Sequence, residues 1–132
     1  MSKHINKVRA PKGFTFRVKK MSNYLTQVAL FTSTPGGSRK IGHINLRSVR
    51  PDYYETHSYL EDDYHHRGLG ALLYARAIQH ALEKGWGVRS SGSSSDDAQR
   101  VWRGKTIRKF FSIKLKKGHD PEYDKWYAYA KG

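Results

Sequence analysis

The stretch Ser58-Tyr-Leu-Glu-Asp-Asp-Tyr-His-His-Arg-Gly-Leu-Gly70 decides the fold of this chain. It reads as the end of a strand, an acidic turn with two glycines, and the start of a long helix. Gly68 and Gly70 both fall where the helix emerges. A helix start offers unpaired backbone N–H groups and the positive end of the helix dipole, so it can hold phosphate. The glycine pair alone also suits an ordinary strand–helix corner. The strand, the turn and a helix of the right length together favour an anion site.

The elements upstream read as strands. Phe14–Val18 alternates, Met21–Asn23 is a tight connection, and Tyr24–Phe31 is rich in strand formers. The turn Thr34-Pro-Gly-Gly-Ser38 joins this run to an alternating third strand, Arg39–Val49, as a hairpin. Pro51-Asp52 breaks the pattern, and Tyr53–Leu60 is a fourth strand.

Downstream, a helix is predicted from Gly68 to Lys84, stopped by Gly85. Leu69, Leu72, Leu73, Ala77, Ile78, Ala81 and Leu82 form its apolar face. Arg76, Gln79, His80, Glu83 and Lys84 form the solvated one. Trp86–Ser90 is a short fifth strand, followed by a polar loop, Ser91–Ser95. Ser95 caps a second helix whose buried stripe is Ala98, Val101 and Trp102. Phe110–Leu115 and Lys125–Ala130 are the final strands. The fold class is therefore α/β (α+β): a mixed, mostly antiparallel central sheet of about six to seven strands with two main helices.

The 132 residues suit a single domain, with the basic segment 1–12 expected to fray. That length buries a core without disulfides or a structural metal. There is no cysteine, which excludes thiol nucleophiles, cysteine zinc sites and disulfide scaffolds, and suits a reducing cytoplasm. No apolar run has membrane-spanning length, so no membrane partner is expected. The seven histidines include the adjacent pair His65-His66, whose spacing is poor for a metal, so no metal site is expected.

Lysine and arginine number 25 against 11 acidic residues, a net charge of +14. Such a field attracts nucleic acid, an acidic protein face or a phosphorylated cofactor, although charge also serves solubility. The basic run Arg103–Lys117, with Phe110 and Phe111 interleaved, keeps nucleic-acid binding open. Nine tyrosines and three tryptophans exceed the needs of a small core and leave a homo-oligomeric interface open.

The order of elements resembles the GNAT N-acetyltransferase family, best over Tyr53–Trp102. The family motif [Q/R]-x-x-G-x-[G/A] falls on His65-His66-Arg67-Gly68-Leu69-Gly70, with His65 where Gln or Arg is usual. Small size and basic balance also resemble compact GNAT-like proteins encoded by phages, which would work in the host cytoplasm.

The resemblance implies acetyl-coenzyme A as cofactor. Its pyrophosphate would lie on backbone N–H groups of Arg67, Gly68, Leu69, Gly70 and Ala71. His65, His66 and Arg67 would add positive charge. The pantetheine arm would run along Ser58, Tyr59 and Leu60, and the Leu60 N–H would stabilise charge on the thioester oxygen. Ser95 falls at the family's asparagine place on the last helix.

Family members that use a carboxylate base often carry it on the fourth strand, where Glu55 stands. Glu55 shares a strand face with His57, and these two are the base candidates. Trp102 fills the place of the tyrosine that protonates the leaving thiolate, and indole is no practical acid. Tyr123, Tyr127 and Tyr129 are candidates that spacing does not separate. The helices usual between the first two strands are missing. A shallow, open, basic acceptor site is implied, suited to an acidic or macromolecular acceptor, protein above all. A GNAT-fold binding module without turnover is the alternative.

Overall fold

Alternating apolar and polar residues drive a sheet with one buried face, and runs with helical spacing cover it. The computed structural model describes residues 5–50, 53–90, 96–118 and 125–130. The expected breaks at Pro51-Asp52 and Ser91–Ser95, and the candidates Ser95 and Tyr123, lie outside the described residues. The strands are β1 (Phe14–Ser22), β2 (Leu25–Thr34), β3 (Gly37–Arg50), β4 (Tyr53–Leu60), β5 (Gly87–Arg89), β6 (Phe111–Lys116) and β7 (Lys125–Ala130). The helices are α1 (Leu69–Glu83), α2 (Asp96–Arg103) and α3 (Lys105–Phe110).

One seven-stranded sheet has the order β1-β2-β3-β4-β5-β7-β6. Its pairs are antiparallel except β4 with β5, which α1 joins as a crossover. The expected mixed, mostly antiparallel sheet is thus present. The second helix, whose end the sequence left open, breaks at Gly104 into α2 and α3. Gly104 has extended backbone, and a Cβ there would sit 3.0 Å from the Arg100 carbonyl oxygen.

Register places Val28, Ile44, Ser58, Val88 and Ala128 on one face of the sheet. Val28, Ile44 and Val88 are fully buried there. α1 lies on this face, with Tyr74 Oη 3.0 Å from Ser58 Oγ. α2 lies on it too, since Trp126 Nε1 donates to Gln99 Oε1 at 3.0 Å. The other face carries Gln27, Asn45, His57 and Tyr127 and no helix among the described residues. A tight turn at Asn23–Tyr24, in place of helices, joins β1 to β2 and leaves that face open.

Part of the segment expected to fray is instead packed. Val8 is buried, and its N–H donates to Gln79 Oε1 at 2.7 Å. Asn6 Nδ2 donates to the Phe110 carbonyl at 2.7 Å, and Lys7 pairs with Glu83 at 2.9 Å. The reason is Gln79, which was expected on the solvated face. It is buried, and its amide satisfies both the Val8 N–H and Glu83. Tyr74 and Ala75 are buried as well, so α1 is covered on more than its sheet side.

Gly42 meets Leu60 across β3 and β4, where an added Cβ would lie 2.8 Å from both Leu60 Cδ1 and the Tyr59 carbonyl oxygen. The carbonyl is backbone and cannot swing aside. Gly42→Ala is expected to destabilise the protein by about 1–3 kcal/mol, read as a lower urea midpoint. An unchanged midpoint would contradict this close register.

Candidate functional site

The site begins where two strands part. β4 and β5 pair only through Tyr53–Glu55 with Gly87–Arg89. Ser90 then turns to β7: its N–H donates to the Trp126 carbonyl, and its Oγ accepts from the Trp126 N–H, both at 2.9 Å. Beyond Glu55, no strand among the described residues pairs with the β5 side of β4.

Antiparallel alternation fixes which β4 groups face that gap. The Glu61 N–H donates to the Ile41 carbonyl at 2.9 Å, so Tyr59 and His57 also point their backbone groups at β3. Ser58 and Leu60 point theirs the other way, into the gap. The Leu60 carbonyl accepts from His65 Nε2 at 2.8 Å, which leaves the Leu60 N–H as a donor facing the gap.

The turn after β4 is held by side chains. Arg39 bonds both Glu61 carboxylate oxygens at 2.8 Å, and Arg67 lies over the Tyr64 ring, 5.1 Å from its centroid. His66 and Gly68 have φ of 62° and 76°. Left-handed backbone suits Gly68, and no atom lies within 4 Å of its missing Cβ, so conformation rather than space calls for glycine. Gly68 caps α1 without a side-chain bond, and the first helical bond runs from the Leu72 N–H to the Gly68 carbonyl at 3.2 Å. The N–H groups of Leu69, Gly70 and Ala71 therefore precede any intrahelical partner.

A groove of about 490 Å³ connects these groups. Ser58, Tyr59, Leu60, His65, His66, Gly68, Gly70 and Ala71 line one side of it, with Asp62 at the turn. Tyr74, Ala98, Arg100, Val101, Gly104 and Thr106 complete it. Most of the residues expected at a cofactor site thus share one surface. Leu69 does not contribute its side chain, which is buried in the core, and Arg67 is occupied with Tyr64. Glu55 and His57 lie on the opposite sheet face. Glu55 pairs with Arg89 at 3.0 Å and Lys125 at 3.8 Å.

Tyr74 was missed in the sequence. The available signal was its place four residues after Gly70, on the same helical face. Its hydroxyl meets Ser58 Oγ, and burial pushes the phenol up, partly offset by hydrogen bonds from Ser58 and Thr56. The phenol therefore keeps its proton through neutral pH. Trp102 is fully buried, edge-on to Tyr74 at 5.9 Å between ring centroids, with no partner for its Nε1 among the described residues. Phe111 is also buried, so the basic run Arg103–Lys117 does not present it to a nucleic acid.

Among the described residues no histidine–carboxylate cluster is arranged to hold a metal ion. No described helix is long and apolar enough to cross a membrane.

No family model and no curated protein matches the chain. Solved structures do. A domain from Methanocaldococcus jannaschii DSM 2661 matches with a TM-score of 0.55 at 14% identity, over 82% of this chain and 67% of that one. An acetyltransferase of the GNAT family from Streptococcus pneumoniae matches with a TM-score of 0.50 at 16% identity, over 82% and 66%. The chain has the GNAT acetyltransferase fold. A GNAT superfamily phosphinothricin acetyltransferase from Sinorhizobium meliloti, solved in complex with AcCoA, matches with a TM-score of 0.51 at 14% identity, over 77% and 59%. The chain thus spans between 59% and 67% of the length of these three proteins. At such identities the GNAT likeness is one of fold.

Gly68→Ala is expected to cost about 1–2 kcal/mol from left-handed backbone alone, without a steric clash. Thermal unfolding measures it. A neutral substitution would mean that the turn relaxes out of the left-handed region.

Proposed function

We propose that this chain is an acyltransferase that moves an acetyl group from acetyl-coenzyme A to an amine on an acidic or macromolecular acceptor, a protein above all. The observation that carries this reading is the groove running from the gap beside Ser58–Leu60 to the uncapped start of α1. The residues fit the cofactor chemically: unpartnered N–H donors at one end suit a diphosphate, and outward backbone groups at the other suit the amides of pantetheine.

Acetyl-coenzyme A supplies an activated thioester. The N–H groups of Leu69, Gly70 and Ala71 would hold its diphosphate, and His66 and Arg100 on the groove wall would add polar and charged contacts. The backbone of Ser58 and Leu60 would orient the arm. The Leu60 N–H, directed into the gap, would stabilise charge developing on a thioester oxygen bound there. Tyr74, protonated at neutral pH and hydrogen-bonded to Ser58, is the groove-lining group that would protonate a leaving thiolate. On the far side of the gap His57 is exposed and takes the proton of the attacking amine. Glu55 is committed to Arg89 and Lys125 and orders that wall.

One observation favours a second reading, a binding module that holds the cofactor without turnover. Trp102 occupies the family's tyrosine place and is shut in the core.

Calorimetry with acetyl-coenzyme A tests the first step. Binding is expected, and Gly70→Glu should weaken it at least about tenfold by putting a carboxylate beside the diphosphate. Absent binding, or binding indifferent to Gly70→Glu, would sink the reading. Turnover is tested with acidic lysine peptides and mass spectrometry. Tyr74→Phe should lower kcat about a hundredfold while cofactor affinity holds. Binding without any acetylated product would select the module.

A further inference from the structure

We propose that the helix-free face of the sheet docks single-stranded nucleic acid. The inference stands apart from acyl transfer, and of the residues it invokes as contacts only Tyr59 also lines the groove. Strand alternation places Arg17 and Lys19 of β1, Arg47 of β3, and Lys114 and Lys116 of β6 on this face, all exposed. Glu55 is the sole carboxylate among the described strand residues there, and Arg89 and Lys125 already neutralise it. A chain of net charge +14 therefore concentrates cations on a surface that no described helix covers. Phosphate is the complementary charge, and its neutralisation releases counterions.

The rings on the same face narrow the partner. Tyr59 is 57% exposed at the centre of the sheet, tilted against His43 with ring centroids 5.9 Å apart. The Arg17 guanidinium lies 4.6 Å from the Phe31 ring centroid, and Lys116 Nζ lies 4.6 Å from that of Tyr127. Cations laid along rings offer both a phosphate contact and a plane for a base. Stacking needs unpaired bases, which a duplex keeps inside, and an acidic peptide gains nothing from the ring faces. From β1 to β6 the strands span about 29 Å at their usual spacing, room for several nucleotides.

Fluorescence anisotropy tests this with a labelled oligouridylate of about a dozen nucleotides, the site size of one small fold. A duplex of the same length and polyglutamate are the competitors. The single strand should bind more tightly than either, with a salt slope of about 0.7 log units per phosphate contacted. Lys114→Glu with Lys116→Glu should weaken binding at least tenfold and reduce that slope by about 1.4. Tyr59→Ala should weaken binding roughly tenfold and leave the slope unchanged. Arg9→Glu with Lys105→Glu removes the same charge away from this face and should change affinity less than about twofold. Thermal unfolding confirms that each variant folds. The proposal is overturned if the control pair costs as much as the lysine pair, if Tyr59→Ala is silent, or if duplex or polyglutamate binds as well as the single strand.

Discussion

Three paired positions between β4 and β5 govern this molecule. A parallel pair that continued past Glu55 would satisfy the outward backbone groups of Ser58 and Leu60 and close the sheet. Instead Ser90 takes its hydrogen bonds from Trp126, and the chain swings to β7. The gap that results leaves polar backbone at the surface of a groove and sets it beside the start of α1. Buried or half-buried backbone donors need partners, and a ligand with amides and a diphosphate would supply them.

The same helix lines the groove and builds the core. α1 presents its first N–H groups to the groove while Leu73, Ala77, Ile78 and Ala81 fill the core beneath. Gln79 then fastens the segment before β1 across its outer side. Helix packing is confined to one sheet face among the described residues, so the other face must be stable in water without cover. Ion pairs and amide bonds do this, such as Glu55 with Arg89 and Gln27 Nε2 with Asn45 Oδ1 at 3.0 Å. A surface of that kind also remains available to a partner.

Much of this was legible in the sequence because the signals are local. The glycine turn marked the start of α1 to within a residue, since Gly68 must be left-handed and Gly85 ends the helix the same way. Strand order around the hairpin followed from alternation and the Pro-Gly-Gly turn. What local signals miss is contact across the chain. Gln79 looked solvated because its partner Val8 is 71 residues away. Tyr74 looked like one more helical aromatic until Ser58 appeared opposite it. Phe111 looked like part of a basic surface, yet β6 turns it into the core. Glu55 and His57 were placed correctly on one strand face, but which side of the sheet held the groove depended on where all the helices packed.

The central claim is that amide hydrogens at the start of α1 and in the β4 gap form one continuous ligand surface. Titration of ¹⁵N-labelled protein with coenzyme A, followed amide by amide, tests it most directly. The account requires the largest shifts at Leu69, Gly70 and Ala71, joined by Ser58 and Leu60. Silence at these five amides, with shifts confined to the cationic strands β1 and β6, would contradict it.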